Sequence, residues 1–147
     1  MGKSRADLVA IPRLERATHA IALFLADRAV LDVSQAEAHV LAYLFARKSA
    51  RINDIHEEFG HRRSTLTSVL DRLERRKLLK RSTDPENRRT VVVTLTRSGT
   101  ALSAKVFQTL REFERQALEG ISATDLKAFC RIIDRFGSVP VVTSVII

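Results

Sequence analysis

Apolar residues fall along this chain in stripes of two different periods. Leu14, Ala17, Ile21 and Leu25 recur at helical spacing with Phe24 beside them, and Pro12 stands where a helix begins. After a break at "VLDV", the run Ser34-Gln-Ala-Glu37 has the form of a capping box, in which the serine caps the Glu37 amide and the glutamate reaches back. Val40, Leu41, Leu44 and Phe45 supply the apolar face of the helix that follows. A short helix is predicted over "DIHEEF", closed by Gly60. In the next helical run Leu66, Val69, Leu70 and Leu73 mark a buried side, and Arg63, Ser64, Thr67, Ser68 and Arg72 occupy the other.

The period then drops to two. "LLKRS" reads as a strand, "TDPENRR" as a turn and "TVVVTL" as the return strand, with Val91, Val93 and Leu95 on one face. Thr96 is the expected N-cap of a long helix in which Leu102, Val106, Leu110, Phe113 and Ala117 form nearly a heptad seam. "SATD" repeats the capping logic before a last helix striped by Leu126, Phe129, Ile133 and Phe136, and "GSVPVVTSVII" closes without helical character. The expected fold is mainly α with a small β-hairpin wing. Three short helices, a basic helix and a hairpin make the winged helix-turn-helix order, in which the last helix of the tri-helical unit enters a major groove.

Charge sharpens that picture. The net charge is +8, yet residues 1–60 balance at eight Lys/Arg and eight Asp/Glu, while residues 61–89 hold ten against four. An excess concentrated in one window points to a polyanionic partner, whereas a scattered one would only favour solubility. At 147 residues and 45% apolar the chain suits a single domain with a real core. Its apolar runs fall short of a membrane span, its N-terminus lacks a secretory apolar region, and the lone Cys130 fits a reducing compartment. A cytoplasmic protein without membrane contact is the expectation.

Catalysis finds little support. His19, His39, His56 and His61 show no metal-ligand spacing and follow no nucleophile motif, and the five glycines form no phosphate-cradling loop. No enzyme, metal or cofactor is expected. Cys130 lies on the apolar stripe of the last helix, where an inert packed thiol is expected.

The stretch "STLTSVLDRLERRKLLKRSTDPENRRTVVVTLTRSG" resembles the multiple-antibiotic-resistance regulator (MarR) family of transcription factors. The family's wing pattern, Asp-x-Arg, an aliphatic, Leu-Thr and Gly, falls here on Asn87, Arg89, Val93, Leu95, Thr96 and Gly99, and the helix order matches from about residue 10 to 137. The resemblance implies a homodimer on double-stranded DNA. Arg63, Ser64, Thr65, Thr67 and Ser68 match the DNA-facing positions, with Arg72 one turn on for a phosphate. Short hydroxyls permit close approach, and arginine binds guanine bidentately. Helix capping is the alternative role for Ser64. The resemblance gives Arg89 to the minor groove, whose negative potential attracts a guanidinium, and puts Arg88 beside it.

The resemblance also implies a division into a DNA-binding lobe over 34–98, dimerisation helices over 8–30 and 98–137, and an apolar tail over 138–147. The dimer residues are then Leu14, Ile21, Leu102, Val106, Leu110, Phe113, Phe129, Ile133 and Phe136. A small effector, whose identity the sequence leaves open, would bind between dimer layer and lobe, with His39 near that crevice. Three departures from the family pattern bear on geometry. Asn87 replaces the acidic partner of the wing arginine, for which Asp84 could substitute. Lys77 replaces a helix-closing glycine, and His61-Arg62 replaces an apolar and small-polar pair. The function expected is a sequence-specific dimeric regulator, a repressor of a pseudo-palindromic operator. A sequence-neutral architectural DNA binder is the main alternative, with a DNA-free interaction module behind it.

Overall fold

Each element begins or ends where the sequence supplies a local reason. The computed structural model describes residues 8–28, 32–60 and 62–140. The order is α1 (Ile11–Ala26), α2 (Gln35–Arg47), β1 (Ser49–Arg51), α3 (Ile52–Phe59), α4 (Arg63–Arg75), β2 (Leu79–Thr83), β3 (Val91–Leu95), α5 (Arg97–Ala117) and α6 (Ala123–Gly137). Pro12 sits in the first turn of α1, where its missing N–H costs nothing. The α2 capping box forms in full: the Glu37 amide donates to Ser34 Oγ at 3.2 Å, and the Ser34 amide donates to the Glu37 carboxylate at 2.8 Å. Gly60 ends α3 at φ +58°, in the left-handed region that glycine enters freely.

The described residues fall into two compact units, the first ending at Phe113 and the second starting at Glu114. In the first, Leu41 and Leu44 of α2, Ile55 of α3, Leu66, Leu70 and Leu73 of α4, and Val93 of β3 close one fully buried core. The sheet has three strands, not the two expected. Short β1 pairs antiparallel with β3 (Ala50 opposite Val93), and β2 flanks β3 on its other edge (Arg81 opposite Val93). Three residues are too short a run to show a period-two signal, so "SAR" was illegible in the pattern.

Helix α5 carries the main correction to the expected subunit interface. Val106 is fully buried within its own protomer, and Leu102, Leu110 and Ile21 pack on the same core. Phe113 meets Phe24 edge-on at 5.2 Å between centroids. This stripe covers the lobe's own core, so Val106 has no surface left for a partner. In the second unit α6 buries no residue: Phe129, Ile132 and Phe136 are exposed and Ile133 half-buried. Cys130 is exposed too, contrary to the packed thiol expected. Ser122 caps α6 by accepting from the Asp125 amide at 3.0 Å.

The turn from α4 into the wing is tightly made. Lys77 keeps the left-handed conformation at φ +58° despite having a Cβ. The Leu78 amide reaches back to the Leu73 carbonyl at 3.0 Å and the Lys77 amide to Glu74 at 2.8 Å, the two bonds of a Schellman ending. Thr96 Oγ1 and Ser98 Oγ donate to the Lys77 carbonyl at 2.7 and 3.0 Å, and Thr96 Oγ1 accepts the Gly99 amide, capping α5 as expected. Gly99 passes so close that a Cβ there would lie 1.7 Å from the Leu78 carbonyl oxygen.

Glu37 ties α2 to α4. It is buried, and besides Ser34 it accepts from Arg72 Nε at 3.2 Å, with Arg76 at 3.9 Å. Burial alone would raise its pKa. The Ser34 backbone and hydroxyl and the Arg72 guanidinium outweigh that, so the carboxyl titrates below its ordinary 4.5.

Three outcomes are expected. Gly99→Ala loses about 2–3 kcal/mol or more, because backbone cannot yield to the added methyl; urea midpoints measure it. Lys77→Gly gains about 1 kcal/mol by removing a left-handed Cβ, read the same way. Glu37→Gln costs about 1–2 kcal/mol at neutral pH, through loss of a charge-assisted bond to a half-exposed arginine. Because the native carboxyl's pKa is depressed, its stabilisation is complete above pH 4.5 and fades as pH falls below it. The two proteins' melting temperatures therefore converge in acid.

Candidate nucleic-acid interface

Helix α4 sorts its residues into two faces without exception. Leu66, Val69, Leu70 and Leu73 are buried to 1% exposure or less, while Arg63, Ser64, Thr65, Thr67 and Ser68 are all exposed. A helix that puts four apolar residues into the core must present the intervening polar ones outward. Arg62 is the N-cap residue, and no side chain caps the first turn. Ser64 is thus not a cap; it lies within that turn. Thr67 and Ser68 turn their hydroxyls onto the carbonyls of Arg63 and Ser64, at 2.8 and 2.9 Å. These bonds fix the hydroxyl oxygens and leave their lone pairs open. His61 lies outside the described residues.

Arg72 needs revision. Its Nε is committed to Glu37, so it is primarily an internal tie of α4 and only its outer N–H groups remain for a phosphate. The C-terminal part of α4 is bound on a second side by Arg81 of β2, which donates to Asp71 and Glu74 at 2.7 Å each. Sequence reasoning passed over Arg81. The signal was present, since acids three apart on the helix and an arginine on the following strand form a natural fork.

At the wing tip the backbone turn is fixed locally and the arginines are not. Asp84 and Thr90 close the base (N···O 2.9 Å), and the Asn87 side-chain oxygen accepts the Arg89 amide at 3.1 Å. Asp84 is buried and takes the Glu86 amide at 3.0 Å and Arg51 NH2 at 3.4 Å. It therefore does not substitute as the partner of Arg89, as expected from sequence; it anchors the wing to the end of β1. Both Arg88 and Arg89 are exposed, and neither guanidinium has an ion pair or hydrogen bond among the described residues.

The basic window thereby divides. Arg72, Arg76 and Arg81 are partnered by carboxylates, whereas Arg62, Arg63, Arg88 and Arg89 are not. These four lie at the start of α4 and at the tip of the wing, flanking a row of small hydroxyls, while Arg75, near the end of α4, reaches only the Asp71 carbonyl. Exposed guanidinium groups beside short hydroxyls are the side-chain types that phosphate and base-edge contacts use. No group of three or more His, Cys, Asp or Glu placed to hold a metal occurs among the described residues. No helix among them is long and apolar enough to cross a membrane.

His39 stands apart from this surface, near the Phe59 ring at 6.5 Å between centroids, with Tyr43 on the same ring at 5.5 Å.

Comparison with known proteins agrees with this geometry. Residues 33–91 match the model of the MarR family. The HTH-type transcriptional regulator YfiV of Bacillus subtilis (strain 168) is 39% identical over 82 residues, which are 56% of this chain and 49% of that protein; the match spans about half of that relative's length. Staphylococcus aureus MepR in its DNA-binding conformation superposes with a TM-score of 0.79 at 22% identity, over 89% of this chain and 98% of that one. NadR in complex with 4-hydroxyphenylacetate gives 0.76 at 17% identity, over 95% and 100%. At these identities the two structures speak for the fold alone. Over residues 33–91 the winged-helix lobe of this chain is similar to the MarR family.

Proposed function

We propose that this protein is a DNA-binding transcriptional regulator, not an enzyme, and acts as a homodimeric repressor on a pseudo-palindromic operator. The observation that carries the reading is the pairing of an exposed α4 face with two unpartnered wing arginines on one braced scaffold. Arg63, Ser64, Thr65, Thr67 and Ser68 read the major groove, Arg89 enters the flanking minor groove, and Arg88 takes the groove edge or a phosphate. Because Asn87 binds only the Arg89 backbone, the Arg89 side chain stays free to follow the groove.

Residues 34–98 form the DNA-binding lobe in this reading, and 8–30 with 98–137 the dimerisation layer. The exposed Phe129, Ile132 and Phe136 stripe of α6 supports assembly, since covering one such side chain yields roughly 1.5–3 kcal/mol. Leu14, half-buried on α1, belongs to the same layer. Of the tail, residues 141–147 lie outside the described structure. A two-fold dimer sets its recognition helices about 34–36 Å apart, one turn of DNA. The ligand held by NadR makes a small-molecule effector reasonable here, and a cytoplasmic site of action follows from a DNA target.

Selection of fragmented genomic DNA by the purified protein, at low and high salt, tests the reading. An inverted repeat with half-sites one turn apart supports a dimeric sequence-specific regulator. Uniform recovery favours an architectural binder, and no recovery refutes DNA binding. On a recovered site, Arg89→Ala is expected to weaken binding and flatten the salt dependence by up to about one unit, as a neutralised phosphate contributes about 0.9. Unchanged slope and affinity would remove Arg89 from the interface.

A further inference from the structure

Arg51 lies within residues 1–60, where basic and acidic side chains balance, so composition gave no reason to single it out. The fold does. Arg51 is the last residue of β1 and the N-cap residue of α3, which its side chain does not cap. Ala50 beside it is buried opposite Val93, so the alternation of the strand turns Arg51 to the outer face, opposite Val92. Its side chain is 57% exposed.

That side chain is held from the wing. Asp84 follows β2 directly, is buried, and uses its two carboxylate oxygens differently. Oδ1 accepts the Glu86 amide at 3.0 Å and so shapes the turn, whereas Oδ2 accepts from Arg51 NH2 at 3.4 Å. No other bond to the Arg51 guanidinium occurs among the described residues. A guanidinium steadied on one side by a carboxylate has less freedom to lose when its open side meets a second anion. Its remaining N–H groups match phosphate oxygens.

Position indicates which anion that is. In a helix-turn-helix the first helix crosses the DNA backbone while the second enters the major groove. Here those helices are α3 and α4, and Arg51 stands at the start of α3. The same residue touches the wing turn that carries Arg88 and Arg89, four and five residues past Asp84.

We propose that Arg51 is a DNA-backbone contact. Its outer N–H groups take a phosphate on the strand that separates the major groove read by α4 from the minor groove entered by the wing, and Asp84 is the positioning residue that aims it. This contact presupposes the DNA-binding role proposed above and extends it to a residue outside the basic window. A phosphate contact carries no sequence information; it fixes the register of the lobe on the duplex.

The test measures binding of the full chain to a labelled mixed-sequence duplex of about 30 base pairs, and to any duplex recovered by selection, between about 50 and 200 mM salt. Arg51→Gln removes the contact, and Arg51→Lys keeps the charge without the fork. Asp84→Asn keeps an acceptor for the turn without the carboxylate. Arg47→Gln removes a charge four residues away, where the guanidinium lies over the Tyr43 ring, and reports any general effect of net charge. Arg51→Gln is expected to weaken both duplexes by the same factor, about ten-fold, and to reduce the salt slope by up to about 0.9. Arg51→Lys restores the slope and part of the affinity. Asp84→Asn loses affinity without lowering the slope, because the charge remains but is no longer aimed. Arg47→Gln stays close to wild type.

Equal binding and slope in wild type and Arg51→Gln, or an equal loss in Arg47→Gln, overturns the contact. If Arg51→Gln weakens only the selected duplex and keeps the slope, Arg51 acts through the wing alone and the phosphate assignment falls. A wild-type chain that binds neither duplex refutes the DNA-binding role and the contact with it; a wild type that binds while Arg51→Gln matches it refutes the contact alone.

Discussion

The wing of this protein depends on one backbone crossing, the passage of the first turn of α5 over Lys77 and Leu78. The Lys77 carbonyl is held by two hydroxyls, from Thr96 and Ser98, and the Leu78 carbonyl by the Thr96 amide. Only a residue without a side chain fits where Gly99 passes. This crossing fixes the direction in which the hairpin leaves α4, and hence the placement of Arg88 and Arg89 relative to the exposed helix face. Lys77 accepts a left-handed conformation to make the turn, at a cost of roughly 1–2 kcal/mol. The bonds that converge on its carbonyl and the Schellman pair behind it hold it there.

Around that crossing, electrostatics divides the arginines into structural and available ones. Arg81 braces β2 against Asp71 and Glu74, Arg72 joins α4 to the buried Glu37, and Arg51 secures Asp84 at the base of the turn. Each tie pins a different part of the lobe: the C-terminal part of α4, its seat on α2, and the wing. Exposed ion pairs contribute little stability, but the pairs to the buried Glu37 and Asp84 restrict geometry, and the Arg81 fork does so through two contacts of 2.7 Å. Of the arginines without a carboxylate partner, Arg88 and Arg89 sit at the tip and Arg62 and Arg63 at the start of α4. Net charge alone could not have distinguished the two sets.

The apolar stripes divide in a similar way. Along α5 the near-heptad seam turns inward, so that Val106 completes the core of the first unit and Leu102 and Leu110 close around it. Helix α6, with the same kind of stripe, leaves Phe129 and Phe136 exposed. Two helices of similar pattern thus have opposite surroundings. A stripe reports that a face must be covered, but not by what.

The sequence by itself determined the elements and their local ends. The Ser34–Glu37 box, the Thr96 cap and the two faces of α4 rest on contacts a few residues apart, and all are legible in spacing and residue type, whereas of the expected β3 face only Val93 is buried and Val91 is exposed. The polar face of α4 and the Arg88–Arg89 tip were legible for the same reason, since a buried stripe dictates what remains outside. Tertiary structure alone decided the rest. It paired Asp84 with Arg51 across 33 residues and Glu37 with Arg72 across 35, turned Arg72 from a free cation into a brace, buried Val106, exposed Cys130 and added β1 to the sheet. The physical reason is that charge and hydrophobicity select partners by distance in space, and the folded backbone sets those distances while the order of residues along the chain does not.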